Sequence, residues 1–295
     1  MTIAACYLSP EGVVLGADST ASNQIAGFHY FNNNQKLFEL GKDSTIGVLT
    51  WGLGSLGTLS YRTLFAELAD DLEKNAPPDM SGVAARWCDK FWAEYQAVLA
   101  PLVQRCKDLA AKPAHNPTGP AAPGARNEAE EKEFNLLRNN LVVGFCVAGY
   151  WPPSRRTNAF EIVFDPLGGK PSPKDLVAAG ALYNFWGAPN FMKRLIFGAD
   201  DTLKQNLLNS GKWTGNAADL DAIFEKEKLG HAILPIRDAV DFVHTCIYST
   251  IKALKFSNLN QICGGPIELA VITTDRRFRW VRHKTWDAAI LESHL

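Results

Sequence analysis

The sequence predicts an α+β protein. Segments of strand character cluster near the N-terminus, in the middle and near the C-terminus, and between them lie long stretches whose apolar residues recur at helical spacing. A chain of 295 residues at 46% hydrophobic can bury a large core, and its length allows one large or two ordinary domains. Lys and Arg number 30 against 31 Asp and Glu, a formal charge of -1. That balance gives no overall field to attract nucleic acid or an anionic membrane, and favours small neutral or peptide ligands.

The first elements form a hairpin. Thr2 to Leu8 and Val13 to Ala17 are rich in β-branched and small apolar residues, and Ser9-Pro10-Glu11-Gly12 between them is a turn cluster. Asp18 then falls at a strand end, from which its carboxylate can return toward Thr2. Ser19 to Gln35 is polar and irregular, with the triple Asn32-Asn33-Asn34. A second hairpin follows: Lys36 to Leu40 alternates, Gly41-Lys42-Asp43 turns, and Thr45 to Trp51 reads as the next strand. Leu56 to Lys74 is expected as an amphipathic helix. Gly82 to about Ala110 is expected as a second, with Ser81 as N-cap and Trp87, Phe91, Trp92 and Tyr95 on its buried face. That aromatic stripe suits either core packing or subunit contact.

Residues 112–132 change character, with four prolines followed by an acidic run, and read as a flexible surface insertion whose charged end could continue as a short helix. Asn140 to Tyr150 and Ala159 to Phe164 read as strands, and Leu176 to Gly180 as the start of a third. Gly168-Gly169-Lys170 lacks the remaining residues of a phosphate-binding loop and reads as a turn. Helices are expected over Asn190 to Leu208, Leu220 to Glu227 and Ile236 to Lys255. A final hairpin of Ile267 to Thr273 and Arg277 to Val281 is expected to close a second sheet.

Six cysteines lie singly, with no CxxC or zinc-finger spacing, so they read as reduced, mostly buried thiols. The six histidines form no HxxxH or HExxH pattern, and no metal or cofactor is expected. No window approaches the apolar length of a membrane helix and the N-terminus has no secretory pattern, so a cytoplasmic location is expected.

Removal of Met1 would place a hydroxyl nucleophile and a free α-amine on one residue, Thr2. Thr2-Ile3-Ala4, followed by Gly12-Val13-Val14-Leu15-Gly16-Ala17-Asp18-Ser19, resembles the opening of proteasome β-type subunits, threonine-nucleophile members of the N-terminal nucleophile hydrolases. Lys36 stands where that family has a lysine opening the next strand, with a short insertion before it. Gly52, in the Gly52-Leu53-Gly54 turn that ends the following strand, matches the glycine whose N–H belongs to the oxyanion hole.

The resemblance implies a four-layer αββα sandwich and a peptidase acting on peptide or unfolded polypeptide. Its nucleophile would be Thr2, supported by Asp18 and Lys36, with Gly52 as oxyanion donor and Ala21 and Thr50 lining the substrate pocket. Asn260 and Cys263, followed by Gly264 and Gly265, stand where the family carries a supporting aspartate and serine. It also implies a homo-oligomeric ring or spiral, fed by an ATP-driven unfoldase. Two other readings fit the residues: a catalytically silent structural subunit, and an amidase acting on a small-molecule amide.

Overall fold

The computed structural model describes residues 2–23, 29–117, 119, 122–180, 182–230, 232–258 and 262–284. In chain order the elements are β1 Ile3–Ser9, β2 Gly12–Ala17, β3 Ala21–Asn23, β4 His29–Phe31, β5 Leu37–Glu39, β6 Ile46–Gly52, α1 Tyr61–Lys74, α2 Met80–Ala110 and α3 Glu128–Leu141. They continue as β7 Val143–Gly149, β8 Asn158–Phe164, β9 Lys174–Asp175, β10 Tyr183–Gly187, α4 Asn190–Phe197, α5 Asp201–Asn209, α6 Ala217–Lys226, α7 Ile236–Lys255, β11 Glu268–Thr273 and β12 Arg276–Arg282. The α+β expectation holds at this level: two five-stranded antiparallel sheets and seven helices among the described residues. The chain divides into two compact units, Met1–Leu37 with Ala181–Leu295, and Phe38–Gly180.

The first unit contains the sheet β10-β1-β2-β11-β12. Hairpin β1–β2 forms as expected, in the register Ala4 to Ala17 through Ser9 to Gly12, and the Ser9 hydroxyl accepts from the Glu11 N–H at 3.2 Å within the turn. Helices α4 and α7 supply the apolar faces that cover this sheet. Met192, Ile196, Val243 and Ile247 pack with Ile3, Ala5, Tyr7, Val14 and Leu269 in one core. Tyr7 carries its polar end to the surface of that core, where its hydroxyl accepts from the Leu234 N–H at 2.9 Å.

The second unit contains the sheet β5-β6-β7-β8-β9. Its core is aromatic: Trp87 and Phe91 of α2 meet Phe145 of β7 at ring-centroid distances of 4.9 and 4.6 Å, and Phe164 of β8 meets Phe91 at 4.7 Å. Burying each such side chain is worth about 1.5–3 kcal/mol. The alternative of a subunit contact for this stripe is corrected, because Trp87 and Phe91 are fully buried within their own unit and Trp92 packs against the same cluster.

Several boundaries differ from the sequence reading, each for a local reason. Helix α1 starts at Tyr61 because the Ser60 hydroxyl caps the Thr63 N–H at 3.2 Å, and the residues before it form a small Leu56–Leu59 bridge. Asp79, not Ser81, caps α2, accepting from the Gly82 N–H at 2.9 Å. Helix α3 begins with an Asn127–Glu130 capping box and runs to Leu141, into residues read as strand. Just before it, Arg126 is buried, donating to the Leu109 and Lys112 carbonyls and pairing with Glu131 at 2.7 Å.

The span read as one helix from Asn190 breaks at Gly198, and Asp200 caps a new helix by accepting from the N–H groups of Thr202 and Leu203. Ala21–Asn23 and His29–Phe31, read as irregular, pair as a two-stranded ribbon. Leu176 to Gly180 forms no strand; the fifth strand of the first sheet is β10, which pairs along β1 from Ile3 with Gly187 to Tyr7 with Tyr183. The last hairpin does not close a second sheet. Strand β11 pairs with β2, so both ends of the chain build the same sheet.

Candidate active site

The site grows from the end of β2. Continuing the β1–β2 ladder past its Ala4–Ala17 pair, Asp18 N–H donates to the Ile3 carbonyl at 3.1 Å, and the Asp18 side chain turns back so that Oδ1 accepts from the Ile3 N–H at 3.0 Å. The expected return of this carboxylate toward the N-terminal residues therefore forms, and it holds the peptide unit that follows Thr2.

Asp18 is fully buried and its oxygens are saturated. Oδ1 also accepts from Lys36 Nζ at 2.6 Å, while Oδ2 accepts from the N–H groups of Thr20 at 3.2 Å and Gly264 at 2.8 Å. Three backbone donors and one ammonium occupy both oxygens, so the carboxylate acts as an anchor and leaves no lone pair open for proton transfer to a ligand.

Lys36 is 3% exposed and also donates to the Thr20 carbonyl at 2.5 Å. Burial pushes its pKa below the ordinary 10.5, against the opposing attraction of Asp18. The lysine is thus a desolvated group held in place by the Asp18 carboxylate and the Thr20 carbonyl.

Thr2 is buried, and β10 passes directly against it. Gly187 has a left-handed φ of +83°, and a Cβ there would stand 1.9 Å from the Thr2 carbonyl oxygen. Only glycine satisfies both the torsion and the approach. Sequence reading missed Gly187; its one signal was the alternation of Tyr183, Phe185 and Gly187 ahead of a proline. The turn before β11 supplies the remaining support: the Ser19 N–H donates to the Gly264 carbonyl at 3.0 Å, reciprocating the Gly264 to Asp18 bond. Cys263 itself is buried, and burial pushes its thiol pKa up to about 12, with Asp18 adding to the rise. Asn260 lies outside the described residues, as does Met1.

Ala21, half-buried, opens β3 just after Thr20. Gly52 and Thr50 belong to the second unit. Gly52 ends β6 with a φ of +84°, where a Cβ would stand 2.2 Å from the Val142 carbonyl oxygen, so its identity is required by the backbone. The helix expected from Leu56 begins at Tyr61, so its N-terminus does not adjoin this turn. Thr50 is buried on β6 opposite Phe145. The structure therefore brings Thr2, Asp18, Lys36 and the Cys263-Gly264 turn together in one unit. Among the described residues no group of three or more His, Cys, Asp and Glu could hold a metal ion, and no helix is long and apolar enough to cross a membrane.

The arrangement of sheets and helices has counterparts among solved structures. Among solved structures the chain is similar to a mutant of Anbu from Hyphomicrobium sp. strain MC1, with a TM-score of 0.50, 11% identity and coverage of 100% of this chain and 97% of that one. It is similar also to Anbu, the ancestral beta-subunit, from Yersinia bercovieri, with a TM-score of 0.50, 10% identity and coverage of 100% and 92%. No protein-family model matches the chain, and no curated protein matches it. These findings correct the assignment to the proteasome β-type subunits. The Anbu structures named above share this chain's fold at 10–11% identity.

Proposed function

We propose that the chain is an N-terminal nucleophile hydrolase that cleaves amide bonds of peptides through an acyl-enzyme on Thr2, after removal of Met1. The observation that carries this reading is the buried Asp18–Lys36 pair, bonded to the backbone of Ile3, the residue next to Thr2. In the proposed reaction Thr2 Oγ attacks the substrate carbonyl carbon and its proton passes to the Thr2 α-amine, whose reference pKa is about 7.7–8.0. Lys36 lowers the cost of the developing alkoxide, and Asp18 keeps that lysine in place. The C–N bond breaks as the leaving amine takes the proton. Water then attacks the ester, the α-amine takes its proton, and Thr2 Oγ is released as the hydroxyl.

The oxyanion donor in this proposal is the Gly52 N–H, and Ala21 and Thr50 line the substrate pocket. The four-layer αββα arrangement, a single domain over 1–295 with a flexible insertion at 112–132, a homo-oligomeric ring or spiral with an ATP-driven unfoldase, and a cytoplasmic location belong to the same proposal. Kinetic assay of peptide aminocoumarin amides tests it, with intact mass to follow Met1. Thr2→Ala is expected to reduce hydrolysis to the buffer background, and unchanged hydrolysis rejects the mechanism.

One observation favours a catalytically silent structural role: Thr2 is only 3% exposed. Retention of Met1 throughout a purified, folded preparation would support that second reading, because a blocked α-amine cannot act as the base.

A further inference from the structure

Glu268 opens β11 directly opposite Ala17, the residue before Asp18. Its side chain is fully buried and lies 2.7 Å from His283 Nδ1 and 3.3 Å from Lys284 Nζ, in contacts without the alignment of hydrogen bonds. Lys284 reaches further. Its ammonium donates to the carbonyls of Asn34 at 2.9 Å and Asn33 at 3.1 Å, and lies 3.5 Å from the Ser19 hydroxyl.

Those partners are the two ends of one excursion of the chain. Ser19 leaves the site and Asn34 returns to it, with β3 and β4 between them, and the Asn34 N–H donates to the Ser19 carbonyl at 2.9 Å. Asp18 immediately precedes this neck, and Lys36 follows it by two residues. Thr20, just inside, contributes its N–H to Asp18 and its carbonyl to Lys36. Whatever fixes the neck therefore fixes the relative placement of Asp18 and Lys36.

We infer that Glu268 and Lys284 are positioning residues, a charged clamp that closes the neck between Ser19 and Asn34 and so sets the Asp18–Lys36 pair. This role rests on the reading of Thr2, Asp18 and Lys36 as the reacting centre. The two groups support each other: the Lys284 ammonium, which donates to the Asn33 and Asn34 carbonyls, stands 3.3 Å from a carboxylate that has no exposed surface of its own. His283, with 44% of its side chain exposed and its ring 4.1 Å from that of Trp280, covers the other carboxylate oxygen from outside.

The test uses the full chain with Lys284→Met, Lys284→Arg and Glu268→Gln. It reads backbone hydrogen exchange at Ser19 and Asn34 and turnover of a peptide aminocoumarin amide. Lys284→Met is expected to speed exchange at both amides by roughly tenfold or more. It should also lower kcat with KM unchanged, while Lys284→Arg keeps both near wild type. Glu268→Gln is expected to match Lys284→Met; if it does not fold, the two Lys284 variants decide.

Unchanged exchange in Lys284→Met overturns the clamp, and so does an Arg variant as impaired as the Met variant. Faster exchange with kcat unaltered in an active enzyme overturns the positioning role. Wild-type protein that lacks turnover while Lys284→Met still accelerates exchange leaves the clamp standing and removes the catalytic reading alone.

Discussion

The surroundings of Asp18 and those of Phe145 are both fully buried, yet opposite forces hold them. Around Phe145, Trp87, Phe91, Tyr61 and Phe164 touch through ring faces and edges at centroid distances between 4.6 and 6.2 Å. Dispersion and the hydrophobic effect act there without strict direction, and a side chain of similar volume can take another's place. Around Asp18, four donors converge on two oxygens at 2.6–3.2 Å. No other side chain presents two acceptors and a negative charge in that space. The aromatic region fixes that the second unit is packed; the polar region fixes where individual atoms stand. Site chemistry depends on the second kind of order.

That contrast can be broken by experiment. Asp18→Asn changes almost no volume but leaves Lys36 as an uncompensated buried charge, and turns an amide N–H donor toward donors. A loss of about 3–5 kcal/mol in urea unfolding is expected, together with loss of any turnover. Gly187→Ala probes the same region through the backbone. The strained torsion alone costs about 1–3 kcal/mol, and the methyl must push the Thr2 carbonyl away, so activity is expected to fall further than stability does.

Phe145→Leu tests the other side. A volume-tolerant aromatic cluster should lose at most about 1.5 kcal/mol and keep wild-type kinetics. A larger loss than that of Asp18→Asn would invert the comparison.

The smallest expected effect is a pH slope. Burial lowers the pKa of Lys36 in the folded state below 10.5, so between the folded and unfolded values the unfolded chain binds more protons. Stability contributed by this group therefore rises with pH through that window. Urea titrations of wild type and Lys36→Met across the alkaline range should differ by that rise, and identical slopes would show that Lys36 is not desolvated.

How much of this was legible in the sequence follows the same division. Helix α7 and hairpin β1–β2 could be placed almost to the residue, because apolar periodicity and a Ser-Pro-Glu-Gly turn encode them locally. Asp18 could be placed at a strand end from the hairpin pattern, whereas Lys36 was singled out through the resemblance to a known family. By contrast β10 was missed, since its five residues are short and aromatic, and its pairing to β1 lies about 180 residues away along the chain. The break at Gly198 escaped because the flanking segments share one apolar rhythm. Gly264 carried only the weak signal of a glycine doublet, and its service to Asp18 is a backbone contact that no side-chain motif records.

The sequence by itself determined the local order of strands and helices and which residue types stand near the N-terminus. Those features depend on torsional preference and on periodic burial, which act over a few residues. Only the tertiary structure decided that β11 and β10 flank the first hairpin, that Gly187 meets Thr2, and that Asp18 receives its fourth bond from Gly264. Such contacts join residues far apart in the chain. They form because a buried carboxylate and buried backbone groups must find partners, and the global packing alone determines which partners come within reach.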